Sequence, residues 1–437
     1  MTDRNKLMDA YARIGVRGMI AEGVFDTLAS GSPSKPLSRE FAIYGDSRTA
    51  QCHTVAATAI STENYGYAFW ATQVSGGFCP STFNFGVGGD TTAMMLSRIS
   101  SVVSNAADIV LFLGSTNDRT GGFSVADTKR NITAIVRRLQ KAGKIVIVGN
   151  ETPRFGANVL DEDQQYDHEQ IRDWITDELS LITPVADTYS LITSLDLHDG
   201  LHPNVKGANK IGTAFGSVLS KYITLGVDLP VDVSDRYSST MNKTGSLVVN
   251  PLMSGSSTQS TGSVNPVAGS VVATGYKGAG SSFTGVTTKW SKEDFEYGQK
   301  QVIEFGGMAT SAGAYIAFSP ASTFNTGDLQ AGDVISLMCG YDLIGDGTGI
   351  LSVTAELLVT KPVATVSTVI YHRDGDKYQD PWTMPSGVIS GALDTPRYTV
   401  DGTETAIGVR ISVYLAQNVP LTSVLKLHQF AVRKHIA

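Results

Sequence analysis

The run Phe41-Ala42-Ile43-Tyr44-Gly45-Asp46-Ser47-Arg48-Thr49 decides how the first half of the chain is read. Four apolar or aromatic residues in succession predict a strand buried on both faces, the pattern of a parallel sheet. Residues 50–60 are helix-compatible, so Ser47 stands on a strand-to-helix turn. In an open α/β sheet such a turn lies at the carboxyl edge, where ligands bind. Its hydroxyl also sits beside a helix N-terminus, whose N–H groups favour developing negative charge. Read alone, Gly-Asp-Ser is more simply an N-cap serine, so the surrounding sequence has to decide.

Outward from that run, buried strands are expected at 82–85, 109–113 and 144–148. Between the last two, residues 128–141 carry Ile132, Ile135, Val136 and Leu139 on one helical stripe. Strands alternating with helices argue for a parallel sheet covered on both faces. Residues 1–38 read as an N-terminal helical arm, patchy because Gly15, Gly18 and Gly23 interrupt it.

Near residue 225 the composition changes. Gly, Ser, Thr and Val dominate from Val227 to Lys289 without a helical period, and residues 227–242 read as a linker. Beyond it, strand-like runs at 301–305, 314–318, 334–338, 351–359, 366–371, 406–416 and 423–432 follow at short spacing. Turn clusters such as Gly345-Asp346-Gly347 and Asp374-Gly375-Asp376 separate them, predicting an antiparallel sandwich or jelly roll over 243–437. A chain of 437 residues has room for both domains and a sizeable core in each.

Bulk properties exclude several function classes. The net charge of −7 provides no basic field for nucleic acid. The three cysteines, Cys52, Cys79 and Cys339, match neither a zinc nor a disulfide framework. No apolar run is long enough to insert in a membrane, and the start at Met1 lacks a secretory signal. Asp342, Asp346, Asp374 and Asp376 read as hairpin turns rather than a calcium site.

Three further motifs sit at expected strand ends. Asn84-Phe85-Gly86-Val87-Gly88-Gly89-Asp90-Thr91-Thr92 is no dinucleotide loop, because the third glycine of Gly-x-Gly-x-x-Gly falls on Thr91. A glycine there does let a backbone N–H approach an oxyanion. In Leu113-Gly114-Ser115-Thr116-Asn117-Asp118, the asparagine can present its side-chain NH₂ to the same crevice as Ser47. In Asp199-Gly200-Leu201-His202-Pro203, the carboxylate can fix the imidazole tautomer and stabilise its charged form.

The order Gly-Asp-Ser, Gly, Asn, Asp-x-x-His resembles the SGNH (GDSL-type) hydrolase superfamily over about residues 40–215. The resemblance implies a three-layer, flavodoxin-like α/β domain over 39–226. It implies Ser47 as nucleophile and His202 with Asp199 as base and orienting acid. The oxyanion hole would be the Ser47 and Gly89 N–H groups plus the Asn117 side chain. No metal or other cofactor is implied. Arg48 stands where an apolar residue is common, and Ser115 where Gly-x-Asn-Asp expects glycine. His198 competes as base but lacks the preceding acid and following proline, and His53 reads as a helix-face residue.

A looser resemblance, from Asn250-Pro251-Leu252-Met253-Ser254-Gly255 through Gly269–Tyr276, links residues 240–437 to carbohydrate-binding sandwiches of phage tail proteins and polysaccharide-active enzymes. Trp290, Tyr371 and Trp382 form either a sugar-stacking face there or part of its core. The combined expectation is a serine esterase acting on an acylated, chiefly O-acetylated, carbohydrate. The alternatives are a general short-chain carboxylesterase or lipase, and a tail or cell-surface binding protein with a vestigial hydrolase domain. Such tail enzymes are commonly trimers, so a homo-oligomer is compatible, as is a virion-associated or extracellular location.

Overall fold

The computed structural model describes residues 39–55, 60–64, 66–223, 229–258, 264, 266–322, 326–362, 365–371 and 386–435. The expected N-terminal arm of residues 1–38 lies outside them, as do Asp374, Asp376 and Trp382. The chain divides into two compact units. One comprises Met1–Gln51, Trp70–His202 and Lys210–Gly226, and the other Cys52–Phe69, Pro203–Asn209 and Val227–Ala437.

In chain order the elements up to residue 219 are β1 (Phe41–Gly45), α1 (Ser47–Ala50), β2 (His53–Val55), β3 (Ile60–Asn64), α2 (Tyr67–Ser75) and β4 (Asn84–Gly86). They continue with α3 (Thr92–Ser97), α4 (Ser100–Val103), β5 (Ile109–Leu113), α5 (Thr116–Thr120) and α6 (Val125–Lys141). The series closes with β6 (Ile145–Gly149), α7 (Glu162–Asp177), β7 (Val185–Ala186) and α8 (Val205–Leu219).

The first unit is built on one parallel sheet in the order β4-β1-β5-β6-β7. Numbered within the sheet this is 2-1-3-4-5, the flavodoxin-like winding. Every residue of β1 and β5 is buried, which is why neither strand alternates polar with apolar. On α6, Ile132, Ile135, Val136 and Leu139 are buried and pack in one cluster with Tyr44, Phe112 and Trp174. Each such aliphatic side chain contributes about 1.5–3 kcal/mol by leaving water.

Some boundaries differ from the sequence reading. The helix starts at Val125, because Ser124 caps it by accepting from the Asp127 amide. Strand β4 covers 84–86 rather than 82–85, since Ser81–Phe83 is a 3₁₀ turn. A larger correction concerns residues 50–60. The helix ends at Ala50, and the chain forms β2 and β3, an antiparallel pair joined in parallel to a strand of the second unit's sheet. His53 therefore lies on a strand, not on a helix face. The β-branched residues Thr54, Val55, Ile60 and Thr62 suit that role, and a distant partner strand decided it.

The second unit adds β8 (Ser257–Thr258), β9 (Val271–Val272), β10 (Tyr276–Ser281), β11 (Val286–Phe295), β12 (Gly298–Gly307), β13 (Tyr315–Pro320) and β14 (Val334–Gly345). After these come β15 (Ile350–Thr360), β16 (Thr365–Tyr371), β17 (Gly387–Asp394), β18 (Tyr398–Thr399), β19 (Ala406–Leu415) and β20 (Val424–His435). Among the described residues three sheets result: β10-β13-β19-β15-β16-β3-β2, β11-β12-β20-β14-β17 with β18 also on β14, and the small pair β8-β9, all antiparallel except where β3 meets β16. This is the expected β-sandwich.

Its interior is aromatic. Tyr276 stacks on Phe318 with centroids 4.8 Å apart, and Phe430 meets Phe318 edge-on. Trp290 is 1% exposed and packs against Phe318, so it belongs to the core rather than to a sugar-stacking face. Asp342 is ion-paired to Lys300 at 2.6 Å, and Asp346 accepts from the Thr348 amide within its turn. Among the described residues, no helix is long and apolar enough to cross a membrane.

Candidate active site

Strand β1 lies between β4 and β5, and the turns leaving these three strands meet at their carboxyl ends. Close packing sets the first turn. A Cβ on Gly45 would lie 2.1 Å from the Leu113 carbonyl oxygen, so only glycine fits there. Asp46 caps α1 by accepting from the Arg48 amide at 3.0 Å. Asp46 and Arg48 are both buried, while Ser47 between them is partly exposed.

The Asp199–His202 turn is fixed just as tightly. Gly200 has φ +84°, and a Cβ on it would come within 2.0 Å of the Phe155 carbonyl oxygen. Phe155 donates its N–H to the Gly200 carbonyl at 2.8 Å, and Asn158 Nδ2 donates to the Asp199 carbonyl at 2.9 Å. Asp199 Oδ1 accepts from the amides of Leu201 and His202 at 2.9 and 2.7 Å. Its Oδ2 lies 2.7 Å from His202 Nδ1, and His202 Nε2 lies 2.8 Å from Ser47 Oγ. Partial burial pushes the Asp199 carboxyl up, but the His202 amide and ring and the Leu201 amide outweigh it, holding it at about 2.

The other two turns leave the neighbouring strands β4 and β5. A Cβ on Gly88 would lie 4.0 Å from Ser47 Cβ, and Gly89 follows with φ +80°. Asn117, in the first turn of α5, donates from Nδ2 to the Asp90 carbonyl at 2.9 Å, so one of its two amide hydrogens is used. The neighbouring Asp118 is buried and accepts from the Thr92 amide at 2.8 Å and from Thr128 Oγ1 at 2.8 Å. The Gly-Asp-Thr-Thr and Asn-Asp stretches are thus tied by both an asparagine and an aspartate. The sheet ends therefore gather Ser47, Gly89, Asn117, Asp199 and His202, all within the first unit. A serine hydrogen-bonded to an imidazole that a carboxylate orients is the arrangement that activates a hydroxyl nucleophile.

The family model of GDSL-like lipases and acylhydrolases matches residues 43–210. Those residues are a GDSL-like lipase/acylhydrolase domain, the domain of a carboxylic ester hydrolase. Among solved structures, a carbohydrate esterase of family 3 from Talaromyces cellulolyticus is similar at 20% identity and TM-score 0.33, covering 42% of this chain and 97% of its own. A GDSL-like lipase from Bacteroides thetaiotaomicron is similar at 16% identity and TM-score 0.31, covering 46% and 96%. A member of the lipolytic G-D-S-L family from Veillonella parvula is similar at 18% identity and TM-score 0.30, covering 40% and 93%. No curated protein matches the chain.

Both departures from the family pattern have physical reasons in the GDSL-like domain. Gly114 sits one place early, where a Cβ would press on the thioether end of Met95 with Cε at 2.6 Å. Ser115, where glycine is expected, is fully buried and donates from Oγ to Glu151 Oε1 at 2.7 Å. Arg48 grips Asp46 with Nε and Nη2 at 3.0 and 2.6 Å, and reaches Glu151 Oε2 with Nη1 at 2.9 Å. All three charged side chains are 0% exposed. Desolvation opposes charge on Arg48, but Asp46 and Glu151 raise its pKa, and Arg48 in turn keeps the buried Glu151 carboxyl below the usual range.

Glu151 itself escaped the sequence reading. Its partner Arg48 is 103 positions away, and no local pattern marks the pair. The available signal was indirect: an arginine where an apolar residue is common requires a buried acid somewhere. His198 stacks on His202 with centroids 5.7 Å apart, but it is His202 Nε2 that bonds to Ser47. Donor atoms of His198, Asp199 and His202 lie within 4.8 Å of one another. In His202 both ring nitrogens are already hydrogen-bonded, to Asp199 and to Ser47.

Proposed function

We propose that this chain is a serine esterase that removes short acyl groups, O-acetyl foremost, from a carbohydrate. The observation that carries the reading is the hydrogen-bonded row Ser47 Oγ, His202 Nε2, His202 Nδ1, Asp199 Oδ2 at 2.8 and 2.7 Å. In this mechanism neutral His202 takes the Ser47 proton as Oγ attacks the ester carbonyl, and Asp199 stabilises the imidazolium. The Ser47 and Gly89 amides and Asn117 Nδ2 hold the tetrahedral oxyanion. Collapse expels the alcohol with a proton from His202. Water then attacks the acyl-serine, with His202 again as base, and frees Ser47.

A large alcohol moiety suits the surroundings. Ser47 is partly exposed, and Val87, Gly88 and Gly89 beside it are exposed, so the acyl group can enter while a bulky sugar stays outside. The second unit offers weaker support for glycan binding. Among the described residues, its large exposed apolar side chains are valines and methionines, such as Val233, Val249 and Met241, with no aromatic ring. That observation favours a general short-chain carboxylesterase as the second reading.

Acetate release from an acetylated glycan, measured beside nitrophenyl esters of increasing acyl length, separates these readings. The proposal expects acetyl turnover on both substrates, abolished by Ser47→Ala, with covalent fluorophosphonate labelling at Ser47 only. Labelling elsewhere, or an active Ser47→Ala protein, overturns the esterase assignment. Turnover on nitrophenyl acetate without acetate release from the glycan leaves the carboxylesterase.

A further inference from the structure

Beneath Ser47 lies a cluster of charged groups that the mechanism above does not use. Asp46 and Arg48 flank the nucleophile, and the Arg48 guanidinium clasps Asp46 through two nitrogens. A third nitrogen of the same side chain bonds Glu151 Oε2 at 2.9 Å and Thr152 Oγ1 at 2.7 Å. The other Glu151 oxygen accepts from Ser115 Oγ at 2.7 Å, two residues before Asn117. Glu151 has φ +81°, a left-handed backbone that a glutamate adopts only when its surroundings compel it. One carboxylate thus connects the turn carrying the nucleophile with the turn carrying the proposed oxyanion donor.

We propose that Arg48 and Glu151 are positioning residues that set the distance between Ser47 and Asn117. This rests on the esterase reading above. The physical case is that a buried ion pair is a costly way to gain stability, while its fixed fork geometry fixes position well. With Asp46 and Arg48 clasped, Ser47 has little freedom but to project from the turn. With Ser115 held by Glu151, the start of α5 follows the same frame. Loss of the carboxylate lets the two turns shift independently, and a displacement of about 1 Å costs roughly 10²-fold in rate.

The test uses the full chain with Glu151→Gln and, separately, Ser115→Ala, which removes one hydroxyl and keeps the ion pair. Measured are kcat and KM on nitrophenyl acetate, the rate constant for fluorophosphonate labelling of Ser47, and the thermal transition. The proposal expects kcat and labelling rate to fall together, roughly 10–100-fold for Glu151→Gln and less for Ser115→Ala, with KM unchanged. A lower transition temperature with parental kcat in the folded protein overturns it, because the pair then supports only the fold. If Glu151→Gln does not fold, Ser115→Ala decides by the same criterion. A parent that neither labels nor turns over fails the esterase reading instead, before any variant is compared.

Discussion

The two units differ in where they place buried polar groups. In the first, Asp46, Arg48, Ser115, Asp118, Glu151 and Thr152 are all buried, and all stand in turns or first helical residues at the carboxyl end of the sheet. In the second, the interior is led by Trp290, Phe318, Tyr341 and Phe430, and its buried Glu356 pairs with the half-buried Arg410 of the neighbouring strand. Polar burial in the first unit fixes loops. In the second it joins strands to one another, as Glu356 with Arg410, and also to the segment that precedes them, as Arg433 with Asp235 at 2.6 Å. The contrast teaches that the turns around Ser47 are held from below by charge, whereas the interior of the sandwich is led by apolar contact.

The comparison breaks most sharply at the base. If the chemistry depends on the first unit's turns, His202→Ala should lower kcat by about 10⁴–10⁶-fold, the scale of losing a triad histidine. His198→Ala should keep most of the turnover, since its neighbour holds Ser47. Initial rates on nitrophenyl acetate read both, and the reverse ranking would move the base to His198. Next in size is the proposed oxyanion donor. Asn117→Ala should reduce kcat by about 10²–10³-fold with little change in KM. An unchanged kcat would mean that Asn117 serves only to bond the Asp90 carbonyl.

A smaller and graded effect comes from pH. Asp199, held at about 2, stays a carboxylate throughout the range in which the enzyme is assayed. Replacing it by Asn should therefore leave the shape of the acid limb of kcat/KM above about pH 4 unchanged, and a limb that loses a step in Asp199→Asn would show that the carboxylate titrates there. The same depressed pKa has a stability consequence of definite sign. Asp199 favours the folded state above its unfolded value of about 3.9 and loses that contribution as pH falls toward about 2. Acid unfolding of Asp199→Asn should be correspondingly less steep in that window.

Much of the first unit was readable because its signals are local. Phe41–Gly45 and Ile109–Leu113 are apolar throughout because both sheet faces are covered, and the α6 stripe follows one helical period. The four motifs were readable because each turn carries its own chemistry within a few residues. What escaped depends on partners far along the chain. Residues 53–55 and 60–64 form strands because β3 pairs with β16, with Thr62 opposite Ile370. Arg48 is explained only by Glu151. Trp290 could not be assigned to face or core until Phe318 was seen against it.

The smallest expected effect tests whether the sandwich touches the chemistry at all. Trp290→Ala removes the ring against Phe318 and the Trp290 Nε1 bond to Thr288 Oγ1 at 2.7 Å. A core tryptophan deletion costs about 3–5 kcal/mol, so the second unit's thermal transition should fall well below that of the parent. Below that transition, kcat on a small acetyl ester should stay within a factor of two, roughly 0.4 kcal/mol in barrier. The chain gives a specific reason to check. It leaves Ser47 through α1 and enters the second unit at Cys52, so β2 of that unit follows directly on the proposed nucleophile's own helix. If loosening the sandwich core lowers kcat while both units remain folded, strain passes through those few residues. The two regions would then share the task of holding Ser47 in place, and cutting the chain near Val227 would damage the esterase along with the sandwich.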